Sequence, residues 1–135
     1  MRLRAATLEN RRYMNDVRRM TGNLQNTLVI SVGSRVMLLR NIMTSAGLVN
    51  GAMGTVTHLS VSDQIVSVLF DDPSIGHVLH IDGVHEPIDI ERMDHTFTYC
   101  GSRVVRRAFP LMPCWACTIH KVQGNTYEKI VIDIG

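Results

Sequence analysis

The sequence predicts an α/β protein with an all-β unit set into it, on three observations. Residues 8–20 carry helical spacing behind a capping residue. Residues 28–110 break into short β-type runs separated by turn residues. After Pro110 a helix-like stretch leads into one continuous apolar run. A chain of 135 residues can bury the core of one ordinary domain. Hydrophobic residues make up 45% and charged residues 19%, a globular balance that excludes a disordered or fibrous chain. Only 5% is aromatic, so the core must lean on Val, Ile, Leu and eight Met. No apolar run approaches the roughly 18 residues of a membrane helix, and no membrane partner is expected.

The elements follow in order. Thr7 is an N-cap for a helix over 8–20, with Leu8, Arg11, Arg12, Asn15, Val17 and Met20 at helical spacing and Gly22 to close it. The β-type runs are LVISV, RVMLLR, GTVTHL, QIVSVLF, HVLHI, EPIDIE, HTFTYC and RVVRRAF, a spacing suited to a small antiparallel barrel or sandwich. DDPSIG (71–76) and IDGV (81–84) read as hairpin turns, the second centred on Asp82-Gly83. Gly47, Gly51 and Gly54 read as turn glycines, in a loop that begins at Arg40 and Asn41. Pro113 suits the first position of a helix, with Trp115, Thr118, Ile119 and Val122 at i, i+3, i+4 and i+7. KIVIDI (129–134) then reads as a strand buried on both faces of a parallel sheet, where an α/β domain ordinarily continues.

The net charge of +2 hides a segregation along the chain. Residues 1–42 hold eight Arg against Glu9 and Asp16. Residues 43–102 hold Arg92 against eight acids, and residues 103–135 hold five bases against Glu128 and Asp133. If the basic ends meet in space they form one positive surface suited to a polyanion; otherwise they are solvated faces. Glu9 and Asp16 interrupt the Arg-rich start, unlike an organellar transit peptide, and no apolar signal segment is present. Three cysteines make no disulfide framework and fit a reducing, intracellular setting, nuclear or mitochondrial in a eukaryote.

Cys114 and Cys117 form a C-x-x-C, the pattern of a redox dithiol or half a zinc site. On a helix, however, positions 114, 117 and 120 fan over roughly 120°, so Cys114, Cys117 and His120 do not converge on one ion. Packing of two small buried thiols is the stronger reading, and no metal is expected. His77, His80 and His85 sit around the Asp82-Gly83 turn, which places only His80 and His85 face to face. The stretch T-I-H-K-V-Q-G is of another kind. Thr118 offers a hydroxyl, His120 and Lys121 donors, Gln123 an amide and Gly124 close backbone approach, just before a buried strand where open α/β sheets bind ligands. It is not a Walker A loop, since G-x-x-x-x-G-K-[ST] is absent from the chain.

WACTIHKVQGNTYEKIVIDIG resembles the motif V region of the Pif-type helicases, the RecD-like branch of superfamily one, which carries A-W-A-x-T-I-H-K-S-Q-G-x-T before an apolar strand. VGSRVMLLRNIMTSAGLVNGAMGTV (32–56) is similar to a second segment of that family, and RAATLENRRYMND to the helix that begins its second motor domain. The resemblance implies a partial RecA-like motor domain, 2A, over residues 1–24 and 108–135, interrupted by an SH3-like β-barrel, 2B, over 25–107. It implies part of an ATP-dependent 5′→3′ DNA helicase whose partners are single-stranded DNA and the first motor domain. Thr118, His120 and Lys121 are then contacts to DNA phosphates, and Gln123 and Gly124 couple to the nucleotide. Arg106 and Arg107, with Arg103, extend the basic surface.

Val122 and Asn125 depart mildly from the family pattern, and neither the phosphate-binding loop nor the arginine-bearing motif VI is present. ATP and Mg are therefore cofactors of the full-length protein, and this chain alone is expected to bind neither, to hold no catalytic residue and to hydrolyse no ATP. Two readings from other classes stand beside this one: a stand-alone SH3-like adaptor for peptide or RNA, and a thiol redox domain.

Overall fold

A computed structural model describes residues 2–4, 24, 27–79, 85–99, 101–116 and 131–132. The expected helix over 8–20 lies outside these residues, as does the turn at Asp82-Gly83 with His80. The described chain is mostly β-sheet, with no α-helix and two short 3-10 turns at Thr44–Ala46 and His77–Leu79. No helix among the described residues is long and apolar enough to cross a membrane.

The described residues form nine strands: β1 Arg2–Arg4, β2 Thr27–Val29, β3 Arg35–Leu38, β4 Met53–Ser60, β5 Ile65–Phe70, β6 Ile88–Ile90, β7 Met93–Tyr99, β8 Ser102–Ala108 and β9 Leu111–Pro113. β6-β5-β4-β3-β9 form one antiparallel sheet, β1 pairs with β2, and β7 with β8 makes a separate two-stranded ribbon. Apolar alternation drives the central strands. Val36 and Leu38, Val56, Val66, Val68 and Phe70, and Ile88 and Ile90 turn into one core, which Phe109 and Leu111 complete from the far end of the chain. A bulge between Val56 and His58 bends β4 and ends its alternation.

Four expectations need correction. The described part of HVLHI is no strand: residues 77–79 form an exposed 3-10 turn, because Gly76 donates to the Ala46 carbonyl and Leu79 donates back to Gly76. Pro113 does not start a helix, since it ends β9 opposite Val36 and the next amide, Cys114 N, donates to the Arg35 carbonyl. Of KIVIDI, the part that is described is not buried. Its two described residues, Val131 and Ile132, are exposed and outside any strand, with no described strand beside them. Gly54 is not a turn residue. It lies inside β4, where a Cβ would stand 2.5 Å from the Leu69 carbonyl oxygen and 2.7 Å from a Val68 methyl. Gly47 and Gly51 do occupy turns, at φ 72° and 96°.

That turn-rich loop is held at its base. Asn50 N donates to the Asn41 side chain, Gly51 N to the Leu38 carbonyl, and Leu38 N to the Ala52 carbonyl. Arg40 therefore leaves β3 from a fixed point, on the side where the ribbon attaches.

Candidate nucleic-acid interface

The ribbon follows from the sequence run HTFTYCGSRVVRRA. Alternating β-branched and polar residues on both sides of the connection between Tyr99 and Ser102 suit an antiparallel hairpin. Gly101 takes φ 76°, a left-handed position that glycine fills without a Cβ penalty. The register pairs Asp94 with Arg107, His95 with Arg106, Thr96 with Val105, Phe97 with Val104, and Thr98 with Arg103.

Period-two geometry then sorts the side chains into two faces. Asp94, Thr96, Thr98, Arg103, Val105 and Arg107 are exposed on one. His95, Phe97, Val104 and Arg106 are buried or half-buried on the other. The adjacent arginines proposed from the sequence therefore point in opposite directions. Arg107 faces solvent beside Arg103, whereas Arg106 turns inward and its guanidinium lies 3.4 Å from the carbonyl of fully buried Leu24. Arg106 thus ties the ribbon to the buried main chain at Leu24.

At the ribbon root His95 is only 8% exposed, and its Nε2 has no hydrogen-bond partner. Its ring also makes a hydrogen bond to the main chain of Ala108. Burial, and then the Arg40 guanidinium, hold the imidazole below its ordinary pKa; the Ala108 bond opposes them, and Arg106 and Asp94 add smaller pushes down and up. The imidazole is thereby kept neutral beside two permanent cations. Arg92 closes the same region, its guanidinium 5.3 Å above the centre of the Phe109 ring.

Many of the acids that make the middle of the chain negative are tied locally. Asp71 takes both guanidinium nitrogens of Arg35, one at 2.6 Å. Asp72 accepts from the amide and hydroxyl of Ser74, and Asp63 from the hydroxyls of Ser60 and Ser62. These hydroxyl bonds hold both carboxyls below the usual range. Asp89 accepts from Ser67 at 2.6 Å on the pairing of β5 with β6. Charge counting along the sequence missed this arrangement. The signal was local: D-x-S at 72–74 and S-x-S-D at 60–63 are turn-forming spacings.

Thr118, His120, Lys121, Gln123 and Gly124 lie outside the described residues, as does Cys117. Cys114, expected to be packed apolar, is 6% exposed. Trp115 beside it is 72% exposed. Among the described residues no group of three His, Cys, Asp or Glu could hold a metal ion.

The family model for the DNA helicase Pif1 2B domain matches residues 19–59. The human ATP-dependent DNA helicase PIF1 is 33% identical over 108 residues, 80% of this chain. The chain belongs to the Pif1 helicase family. Among solved structures, the Pif1 helicase from Bacteroides in complex with ADP-AlF3 and ssDNA matches 78% of this chain and 23% of its own, with a TM-score of 0.53 and 31% identity. The Candida albicans Pif1 helicase reaches a TM-score of 0.65 over 96% of this chain and 32% of its own, at 22% identity, a likeness of fold alone. This Pif1-family chain spans only 15% of the human relative's length. It aligns with part of a DNA helicase, which leaves the stand-alone adaptor reading without support.

Proposed function

We propose that this chain contributes single-strand binding and motor coupling to an ATP-dependent 5′→3′ DNA helicase. In this reading residues 25–107 are an SH3-like 2B barrel, and residues 1–24 and 108–135 are pieces of a RecA-like domain 2A. The observation that carries it is the alignment of 80% of the chain, at 33% identity, with an ATP-dependent DNA helicase. Thr118, His120 and Lys121 contact DNA phosphates, and Gln123 and Gly124 relay the state of a nucleotide held with Mg by the full-length protein and its first motor domain. Hydroxyls, cations and close backbone amides serve a sequence-independent backbone grip. Arg107 faces solvent and can join that grip. Arg106, on the inner face, serves it by holding the ribbon to Leu24.

Fluorescence anisotropy with labelled oligo(dT) at low salt tests the reading. We expect salt-sensitive binding that weakens in Lys121→Ala. Affinity unchanged by that substitution would remove the phosphate role of Lys121 and, with it, the motif V assignment.

A further inference from the structure

The outer face of the ribbon has a geometry that the single-strand reading does not use. Arg103 and Arg107 lie on one strand, four residues apart and on the same face. At a rise of about 3.3 Å per residue their Cα atoms stand roughly 13 Å apart. The major groove of a duplex is about 12 Å wide and admits a two-stranded β-ribbon.

Between the two arginines stands Val105, 48% exposed, with Thr96 opposite it and Thr98 opposite Arg103. The centre of the face is thus small, with one aliphatic side chain and a hydroxyl, while its ends are cationic. Asp94, opposite Arg107, is the one acid on this face, and no direct ion pair joins the two side chains.

We propose that the outer face of β7–β8 grips duplex DNA, with Arg103 and Arg107 on the phosphates of opposite walls of one groove and Thr96 and Val105 between them. The proposal rests on the helicase reading and adds to it which nucleic acid meets this face: the double-stranded side of a junction, while residues 118–124 take the single strand. Recognition is by backbone charge and groove width, independent of sequence.

The experiment measures anisotropy of the full chain with a labelled 24-base-pair blunt duplex and, separately, a 24-nucleotide oligo(dT), across about 50–200 mM salt. For wild type we expect measurable duplex binding. In Arg103→Ala/Arg107→Ala the slope of log affinity against log salt should fall by about 1.8 for the duplex, about 0.9 per lost phosphate contact, and stay within about 0.3 for oligo(dT). Arg103→Lys/Arg107→Lys should restore most of the duplex slope, since a phosphate contact needs a cation rather than a fork. Both positions are exposed, so the fold is unaffected, which circular dichroism checks. Absence of duplex binding by wild type, an unchanged duplex slope in the double variant, or an equal loss on both ligands overturns the proposal. Lys121→Ala on oligo(dT), run in parallel, reports on the single-strand reading separately.

Discussion

The five-stranded sheet and the β7–β8 ribbon use similar residues to opposite ends. In the sheet, β-branched and aliphatic side chains from β3 to β6 converge on one core, and several of the nearby acids are tied by hydroxyls or by Arg35. In the ribbon one face has nothing described against it, and its polar groups are left exposed. A two-stranded ribbon alone is marginal in water, so its stability depends on the inner face, on Phe97, Val104, His95 and Arg106. The sheet makes the fold, and the ribbon is a presented surface. The proposed duplex grip draws on the region that packing holds least.

The largest effect is expected where the sheet is tightest. Phe70, 2% exposed, is among the largest fully buried side chains, and Phe70→Ala should cost about 3–5 kcal/mol, enough to unfold a marginal domain. Phe97→Ala, at a half-buried ribbon position, should cost less. Urea midpoints at constant slope make the comparison. If Phe97→Ala proved the more damaging, the ribbon would be part of the core and the contrast would fail. Next comes Gly54→Ala, about 1–3 kcal/mol, because the added methyl meets the Leu69 carbonyl and Val68 across β4 and β5. A neutral Gly54→Ala would mean that these strands separate easily.

Gly54 also shows what the sequence could and could not convey. Glycine in a G-L-V-N-G-A-M-G run reads as turn chemistry, and for Gly47 and Gly51 that is correct. Gly54 is set by cross-strand distance to β5, which local spacing does not encode. The strands over 35–38, 53–60, 65–70, 88–90 and 102–108 were legible because alternation and turn residues agree there. The start of HVLHI failed as a strand because Val78 and Leu79 carry no burial. The turn at 77–79 is fixed by a hydrogen bond to the distant Ala46 carbonyl, invisible in any window of sequence. The site divided in the same way. Arg107 was legible as a surface cation, whereas Arg106, one residue away, needed the pairing register to be seen as an inward anchor.

His95 gives a smaller effect that separates the regions by pH. Its folded pKa lies below the ordinary 6.5, so below that pH the unfolded chain binds the proton more readily than the folded one. The stability it contributes is complete above about pH 6.5 and is lost as pH falls towards the folded value. Asp63 and Asp72, whose carboxyls are lowered from 3.8, give up their contribution only at still lower pH. Unfolding measured from pH 7.5 to 5.5 should therefore show a decline that His95→Gln abolishes. Amide exchange over the same range should accelerate first in β7 and β8. A decline that persists in His95→Gln would place the sensitive group elsewhere.

The smallest effect is expected at the most visible polar contact. Arg35 and Asp71 form a two-pronged pair between β3 and the end of β5, with side chains 31% and 48% exposed. Water screens such a pair, and fixing two side chains costs entropy, so exposed pairs contribute about 0–1 kcal/mol. Asp71→Asn should shift the urea midpoint little, and less still in 0.5 M salt. Arg35 also donates to Thr55 at 3.0 Å, so its guanidinium keeps a partner after the substitution. A loss above about 2 kcal/mol that resists salt would show that the pair is shielded from water and belongs to the sheet's core. The division between a sheet held by apolar packing and a ribbon held by charged anchors would then need redrawing, because an ion pair would be fastening the sheet as well.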